Sequence, residues 1–361
     1  MRRFFLLVGS LMFILVVSTI PFRYQPSNVV SASSNKEQKT DLQGTTGPST
    51  LQVPGSIILP IGLGSIWDLV WSPDGKNIVV VTDTGFYLFD RDHVCLETCW
   101  SKWNQDNSPN SAAFSPDSKQ LLLGERRGAI KLWDITSDNQ PTVLEDYKTP
   151  PGGTFVVAFS PDGKRLAFND PNHIIQVWDV ASGKATMVLG QHTDFIKSFV
   201  FSPDGTRLAS NGEPIRLWDV TSGAQITVLT PQSDDGTASF GAWNITFSPD
   251  GKQLVAAGGD GNLYSIRSWD VSSGNQLETI PWQKSIKDEI YTVVFSPNGK
   301  WIAIGGDKTV ELWDASSGNQ VAVLKGHISR VRAVAFSPDS TRLISGDDQG
   351  LVWMWDLSQL K

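Results

Sequence analysis

The stretch "VRAVAFSPDSTRLISGDDQGLVWMWD" (Val331–Asp356) decides the fold. Two β-rich runs, VRAVAF and TRLISG, are joined by Ser-Pro-Asp-Ser, and a third, LVWMWD, follows a second turn. Pro presets φ, Asp bonds its own backbone, and Gly, where present, supplies positive φ. Short apolar or alternating runs punctuated by such residues are strands rather than helices. The turn phrase is one of seven, at Ser72, Ser115, Ser160, Ser202, Ser248, Ser296 and Ser337, spaced 41 to 48 residues apart. Each is followed by a second phrase (YLFD, KLWD, QVWD, RLWD, RSWD, ELWD, WMWD) ending at Asp90, Asp134, Asp179, Asp219, Asp270, Asp314 and Asp356. A period in the forties marks a repeat architecture and outranks any local reading. In most units a Ser-Gly turn after the Asp, as in VTSGAQITVL, opens a fourth strand. One four-stranded sheet buries little alone; several stacked around an axis bury both faces of each.

Over about Gly55–Lys361 these residues resemble the WD-repeat (β-transducin-like) β-propellers. Trp-Asp ends the third strand in six units, with Phe89-Asp90 in the first. The resemblance implies an all-β, seven-bladed propeller of four-stranded antiparallel blades. The family's Gly-His also appears, as GQH ending at His192 and as Gly326-His327. In the family the His, a strand-two Ser and the Trp form a buried cluster completed by an Asp. The matching groups are His192, Ser210 and Trp218, and His327, Ser345 and Trp355, all implied to be structural. The Asp is expected six residues before the Trp, where Gly212 and Gln349 stand, so both clusters are expected to be incomplete. Asp307 holds that place in the sixth unit, which lacks the His. After WMWD no fourth strand remains. Aligned on VAVLKGHISRVRAVAFSPDS, the stretch SIILPIGLGSIWDLVWSPDG matches apolar to apolar. Ile57–Leu59 is therefore expected to supply the last outer strand and close the ring by pairing N- and C-terminal strands.

The 361 residues carry 30 Lys and Arg against 37 Asp and Glu, a formal charge of −7. An acidic body suits a nucleic acid poorly, because such binding draws on phosphate neutralisation; ERRG is the densest basic tract. Met1–Ile20 has a basic start and a mostly apolar run, marginal for a bilayer span and ordered like a secretory signal. Residues 1–32 are read as a signal peptide, with cleavage after Ala32, or as an uncleaved membrane anchor. RRFFL also has a twin-arginine look. Residues 33–54 are read as a flexible polar linker, and 55–361 as the propeller. The expected location is extracytoplasmic, secreted or anchored. Cys95 and Cys99 could pair across a turn in an oxidising compartment, or stay as two thiols; two ligands without a nearby His make no metal site.

The four His, two of them in the clusters above, belong to no HExxH, and neither GxSxG nor a Walker loop occurs. GGDGN around Asp260 and NDPN around Asp170 read as β-turns rather than calcium loops, lacking the run of oxygen ligands. No cofactor, metal or catalytic residue is assigned. One distribution is uneven. Four residues before the aromatic of each turn phrase stand Trp67, Asn110, Phe155, Lys197, Trp243, Tyr291 and Arg332. Two columns further back, Phe195 and Arg330 continue the ring. In the family this column lies near the start of the innermost strand, at the narrower channel mouth. Aromatics and Arg are typical interface anchors; wedging between blades is the alternative. Lys197 and Arg332 suggest a ligand with an anionic or carbonyl-rich group. The expected function is a non-enzymatic protein- or peptide-binding scaffold with its partner over the narrower mouth. The alternatives are a carbohydrate- or small-ligand-binding propeller using the aromatic collar, and an exported hydrolase.

Overall fold

The computed structural model describes residues 53–59, 64–90, 108–126, 128–137, 141–146, 156–230, 240–259, 264–277 and 289–360. The segments read as signal or anchor and as linker, apart from residues 53 and 54, lie outside these residues, as do Cys95, Cys99, Phe155 and Asp260.

Strand β1 (Gly55–Leu59) precedes the first unit, β2 (Ile66–Trp71), β3 (Asn77–Thr82) and β4 (Gly85–Asp90). The second unit is β5 (Pro109–Phe114), β6 (Gln120–Glu125), β7 (Ala129–Asp134) and β8 (Thr142–Asp146). The third is β9 (Val157–Phe159), β10 (Arg165–Asn169), β11 (Ile174–Asp179) and β12 (Lys184–Gln191). The fourth is β13 (Phe199–Phe201), β14 (Arg207–Ser210), β15 (Ile215–Asp219) and β16 (Gln225–Leu229), and the fifth β17 (Gly241–Phe247), β18 (Gln253–Gly259) and β19 (Tyr264–Asp270). Then come β20 (Ile290–Phe295), β21 (Trp301–Asp314), β22 (Gln320–Phe336), β23 (Arg342–Asp347) and β24 (Val352–Asp356). Pairing is antiparallel throughout, and three sheets have the expected four strands. β2–β4 and β17–β19 show three, and the residues that follow them, 91–107 and 278–288, lie outside the described set.

The expectation of seven separate blades is corrected: among the described residues, hydrogen bonding joins the strands into six sheets. The sixth and seventh repeat units share one six-stranded ladder, in the order β1-β24-β23-β22-β21-β20. The cause is β22, whose extended backbone runs on where other units break. Its Gln320–Lys325 pairs with β21 and its Val331–Phe336 with β23, while Arg330 opposite Asp307 carries the ladder across. β1 pairs with β24, with Ile57 opposite Trp353 and Leu59 opposite Val352.

The second strand of each unit is the most deeply buried. β3 and β6 are buried at all but their first residue, because neighbouring sheets cover both faces. That explains why NIVVVT and QLLLGE read as continuous rather than alternating apolar runs. Of the outer strands, β12 is largely exposed and β16 is exposed at its first two residues. Core clusters form between successive sheets; one joins Ile66, Leu69 and Phe89 of the first unit to Ile344, Val352 and Met354 of the last.

The repeated turn has one internal wiring. Ser72 Oγ donates to Asp74 and accepts the Asn77 amide, and the other six copies keep the Ser bond to the third residue. The turns also touch one another. Gly163 lies against Pro116, Gly205 against Pro161, Gly251 against Pro203, Gly299 against Pro249, and Gly75 against Pro338. Ser118 Oγ accepts the Asp74 amide at 3.0 Å, and Ser340 Oγ accepts the Asn298 amide at 3.2 Å. Followed round, these contacts pass through all seven turns and return to the first.

Candidate functional site

The innermost strands carry the collar, and a backbone irregularity aims it. The pairing register slips between Ile66 and Asp68, Pro109 and Ser111, Ala242 and Asn244, Ile290 and Thr292, and Val331 and Ala333. The residue skipped in each case is Trp67, Asn110, Trp243, Tyr291 or Arg332. A bulge leaves one residue unpaired and turns its side chain away from the regular pleat. Five collar positions are thus displayed by the same device, at the start of the strand and away from the turn phrase at its end. They line a cavity of about 1130 Å³ together with Asp68, Arg126 and Lys197.

The collar is already stacked upon itself. Arg126 lies 4.9 Å from the centre of the Trp67 ring and Arg332 5.4 Å from it. Arg332 is also 5.4 Å from the Tyr291 ring, and Arg330 is 5.7 Å from the same ring. Trp243 continues the series, 6.4 Å from Tyr291 and 5.4 Å from Tyr264. Each guanidinium has its own carboxylate. Arg126 donates to Asp83 at 2.7 Å and to Asn110 at 2.8 Å. Arg332 donates to Asp348 through Nε, and Nη2 reaches its other oxygen at 3.4 Å. Arg330 pairs with Glu289 at 3.0 Å. Burial would push Asp83 up, but the Trp67 indole, the Ser65 amide and Arg126 outweigh it and hold the carboxyl below the usual range. Trp67 remains 37% exposed.

One step along the strands, four polar residues each stitch one inner strand to the next. Asp68 accepts the Ala112 amide at 3.0 Å, Ser111 the Val157 amide at 3.4 Å, Ser198 the Ile245 amide at 3.4 Å, and Asn244 the Val293 amide at 3.0 Å. Enclosure in the channel wall pushes Asp68 up to about 6, against the pull of the Ala112 and Leu69 amides and the Ser111 hydroxyl.

His192 and His327 are tied into the packing. The Trp218 indole donates to Ser210 at 2.8 Å, and Ser210 meets His192 Nε2 at 2.7 Å. His192 Nδ1 donates to the Gly212 carbonyl at 2.5 Å. Burial pulls this imidazole down to about 4. In the last unit Trp355 donates to Ser345 at 2.8 Å, Ser345 meets His327 Nε2 at 2.7 Å, and His327 Nδ1 donates to Asp347 at 3.0 Å. The expected lack of an acid is therefore corrected: Asp347 completes the second cluster. In the first, a backbone carbonyl takes the acid's place.

Of the collar column, the structure brings Trp67, Lys197, Trp243, Tyr291 and Arg332 to one cavity. Arg330 stacks at its rim. Phe195 stands apart, 55% exposed and edge-on to His173 at 4.7 Å. The positive charge expected of Arg332 is neutralised by Asp348. Arg126, Asp83 and Asp348 were missed; they stand eleven residues after Ser115, Ser72 and Ser337, a register that would have found them. Among the described residues no cluster of His, Cys, Asp and Glu could hold a metal.

Sheets of antiparallel strands built one after another from a repeat, around a shared cavity, define a β-propeller. A family model described as WD domain, G-beta repeat, matches residues 183–214, 227–265, 275–314 and 318–356. Protein FIZZY-RELATED 3 of Arabidopsis thaliana is 25% identical over 311 residues, covering 83% of this chain and 56% of that protein. The WD repeat-containing protein VIP3 of Arabidopsis thaliana is 30% identical over 167 residues, 42% of this chain and 49% of that one. The serine-threonine kinase receptor-associated protein of Dictyostelium discoideum is 26% identical over 249 residues, 68% and 78% of the two chains. The chain thus spans about half the length of the first two relatives. Four of its repeats match the WD-repeat model, and over most of its length the chain is similar to WD-repeat proteins.

Proposed function

We propose that this protein is a non-enzymatic interaction scaffold whose protein partner docks over the collar mouth. The observation that carries the reading is the bulged, pre-stacked series Trp243–Tyr291–Arg332–Trp67–Arg126 around the 1130 Å³ cavity. Its side chains are held by ring stacking and ion pairs before any partner arrives, so little ordering entropy is left to lose on docking. Because its guanidiniums are paired, the collar offers donors and acceptors side by side rather than a cationic field. This matches a peptide backbone with mixed side chains better than a polyanion. The WD-repeat relatives support a protein partner as a class. A photo-crosslinking residue at Tyr291 should capture a partner that one at Ser182, on an exposed outer turn, does not. Trp243→Ala should abolish that adduct while the melting temperature holds. Equal labelling from both positions would overturn the reading.

The finer architecture belongs to the same proposal. The seven turns in cyclic contact and the β1–β24 pairing support a seven-unit ring closed by β1. We also propose that the propeller works outside the cytoplasm, on the strength of Met1–Ile20. A reporter fused after Lys361 should be active only when exported; cytosolic activity would rule the location out.

A further inference from the structure

Asp68 carries a charge that its structural task does not need. Its carboxylate stitches β2 to β5 by accepting the Ala112 amide, and Asn244 does the same task for β20 with a neutral amide. The negative charge faces the cavity, half-buried, and no described residue forms an ion pair with it. Lys197 lines the same cavity from the fourth unit, across the ring from the first. Among the described residues its ammonium has no carboxylate partner either. The contrast with the rim is sharp: Arg126, Arg330 and Arg332 each own an acid. The cavity wall then holds one uncompensated anion, a step inside the collar, and one uncompensated cation, in the collar column, on different units.

From this we infer that the cavity binds a small zwitterionic solute, an amino acid or ω-amino acid, its ammonium on Asp68 and its carboxylate on Lys197. Opposite charges at two fixed points select for a ligand bearing both, since either half alone leaves one wall charge unanswered. The penalty that enclosure places on ionised Asp68 is relieved by an ammonium beside it, so binding also removes a cost the free protein carries. The site shares this cavity with the docking surface proposed above, but its test needs no protein partner.

The test is calorimetric titration of the full chain with a length series of ω-amino acids, glycine to 8-aminooctanoate, with n-butylamine and butyrate as single-charge controls. At least one zwitterion should bind, at least tenfold more tightly than either control. Asp68→Asn keeps the stitch, as Asn244 shows, and should weaken that binding tenfold or more; Lys197→Met should do likewise. Melting temperatures at or above that of the unaltered chain establish folding in both variants. Absence of binding by every zwitterion at 10 mM, or unchanged affinity in Asp68→Asn, overturns the inference. Binding of n-butylamine as tight as the best zwitterion, unaffected by Lys197→Met, overturns the anionic half.

Discussion

His192 sits where a proton would be costly. Its Nδ1 must donate to Gly212, a carbonyl that can only accept, and Nε2 takes the Ser210 hydroxyl. The folded value is about 4 against 6.5, so on acidification the unfolded chain binds the proton first. The stability this gives is present above about pH 6.5. It is lost as pH falls toward 4, by on the order of 3 kcal/mol across the window. Asp68 acts in the opposite sense: raised to about 6 from 3.8, it takes its proton first in the folded state, so the same acidification adds stability. Asp68→Asn should therefore be more stable at pH 7 and decline more steeply between pH 6.5 and 4.5 than the unaltered protein, read from urea midpoints. His192→Gln should lose most of that decline. Ser345→Ala should cost about 1–3 kcal/mol at any pH, because it strands the buried Trp355 donor and deprives His327 of its partner. The residues of these clusters were legible in the sequence, but the acid was not. Ser345 stands ten residues before Trp355, whereas Ser210 stands eight before Trp218. The last unit's turn is two residues longer, and Asp347 fills it by accepting the Gln349 and Leu351 amides, so a register counted back from the Trp passes it by.

Strands were legible wherever the turn phrase bounded them, because Pro, Asp and Gly constrain the backbone locally. Bulges were not: a bulge is a relation between two strands, and Trp67 in GSIWDLVW looks like any other alternating position. The run-on of β22 was hidden for the same reason, since the Asp307–Arg330 pairing exists only once the sixth and seventh units meet. The outer strand β1 was read from apolar matching alone, and its fit shows which residue matters most. A Cβ at Gly55 would come within 2.5 Å of the Trp355 ring and 3.1 Å of Trp353. Gly55→Val should therefore push β1 off β24 and lower the melting temperature as much as deleting residues up to Leu59 does. A chain beginning at Gln52 should melt like the full chain. If the deletion past Leu59 melted with it, β1 would not be holding the ring shut.

At the scale of the whole molecule, seven phrases in register were enough to read the fold class, while the site was legible only as a column of large residues. That column could not reveal that Arg332 is neutralised by Asp348, since the two stand sixteen residues apart and meet across a hairpin. Binding should follow the stack rather than the charge. Trp67→Ala removes the ring between Arg126 and Arg332 and should cost about 2 kcal/mol or more of partner affinity. Arg332→Glu places a second acid beside Asp348 and should be more damaging than Arg332→Ala, with little relief at low salt. Normal binding by both Trp67→Ala and Trp243→Ala, with far lower melting temperatures, would leave the collar as packing alone. The circuit of turns carries another consequence. Each repeated turn touches the next, and the Asp356 amide donates to the Pro54 carbonyl at 2.9 Å, so the first and last described strands begin and end side by side. The order in which the units are threaded should then be open to change. Residue 361 could be joined to Val53 by a short Gly-Ser linker and the backbone opened at Ser182-Gly183, an outer turn where a Cβ added at the glycine would meet nothing within 4 Å. Such a circular permutant keeps every contact described above and should melt within a few degrees of the parent.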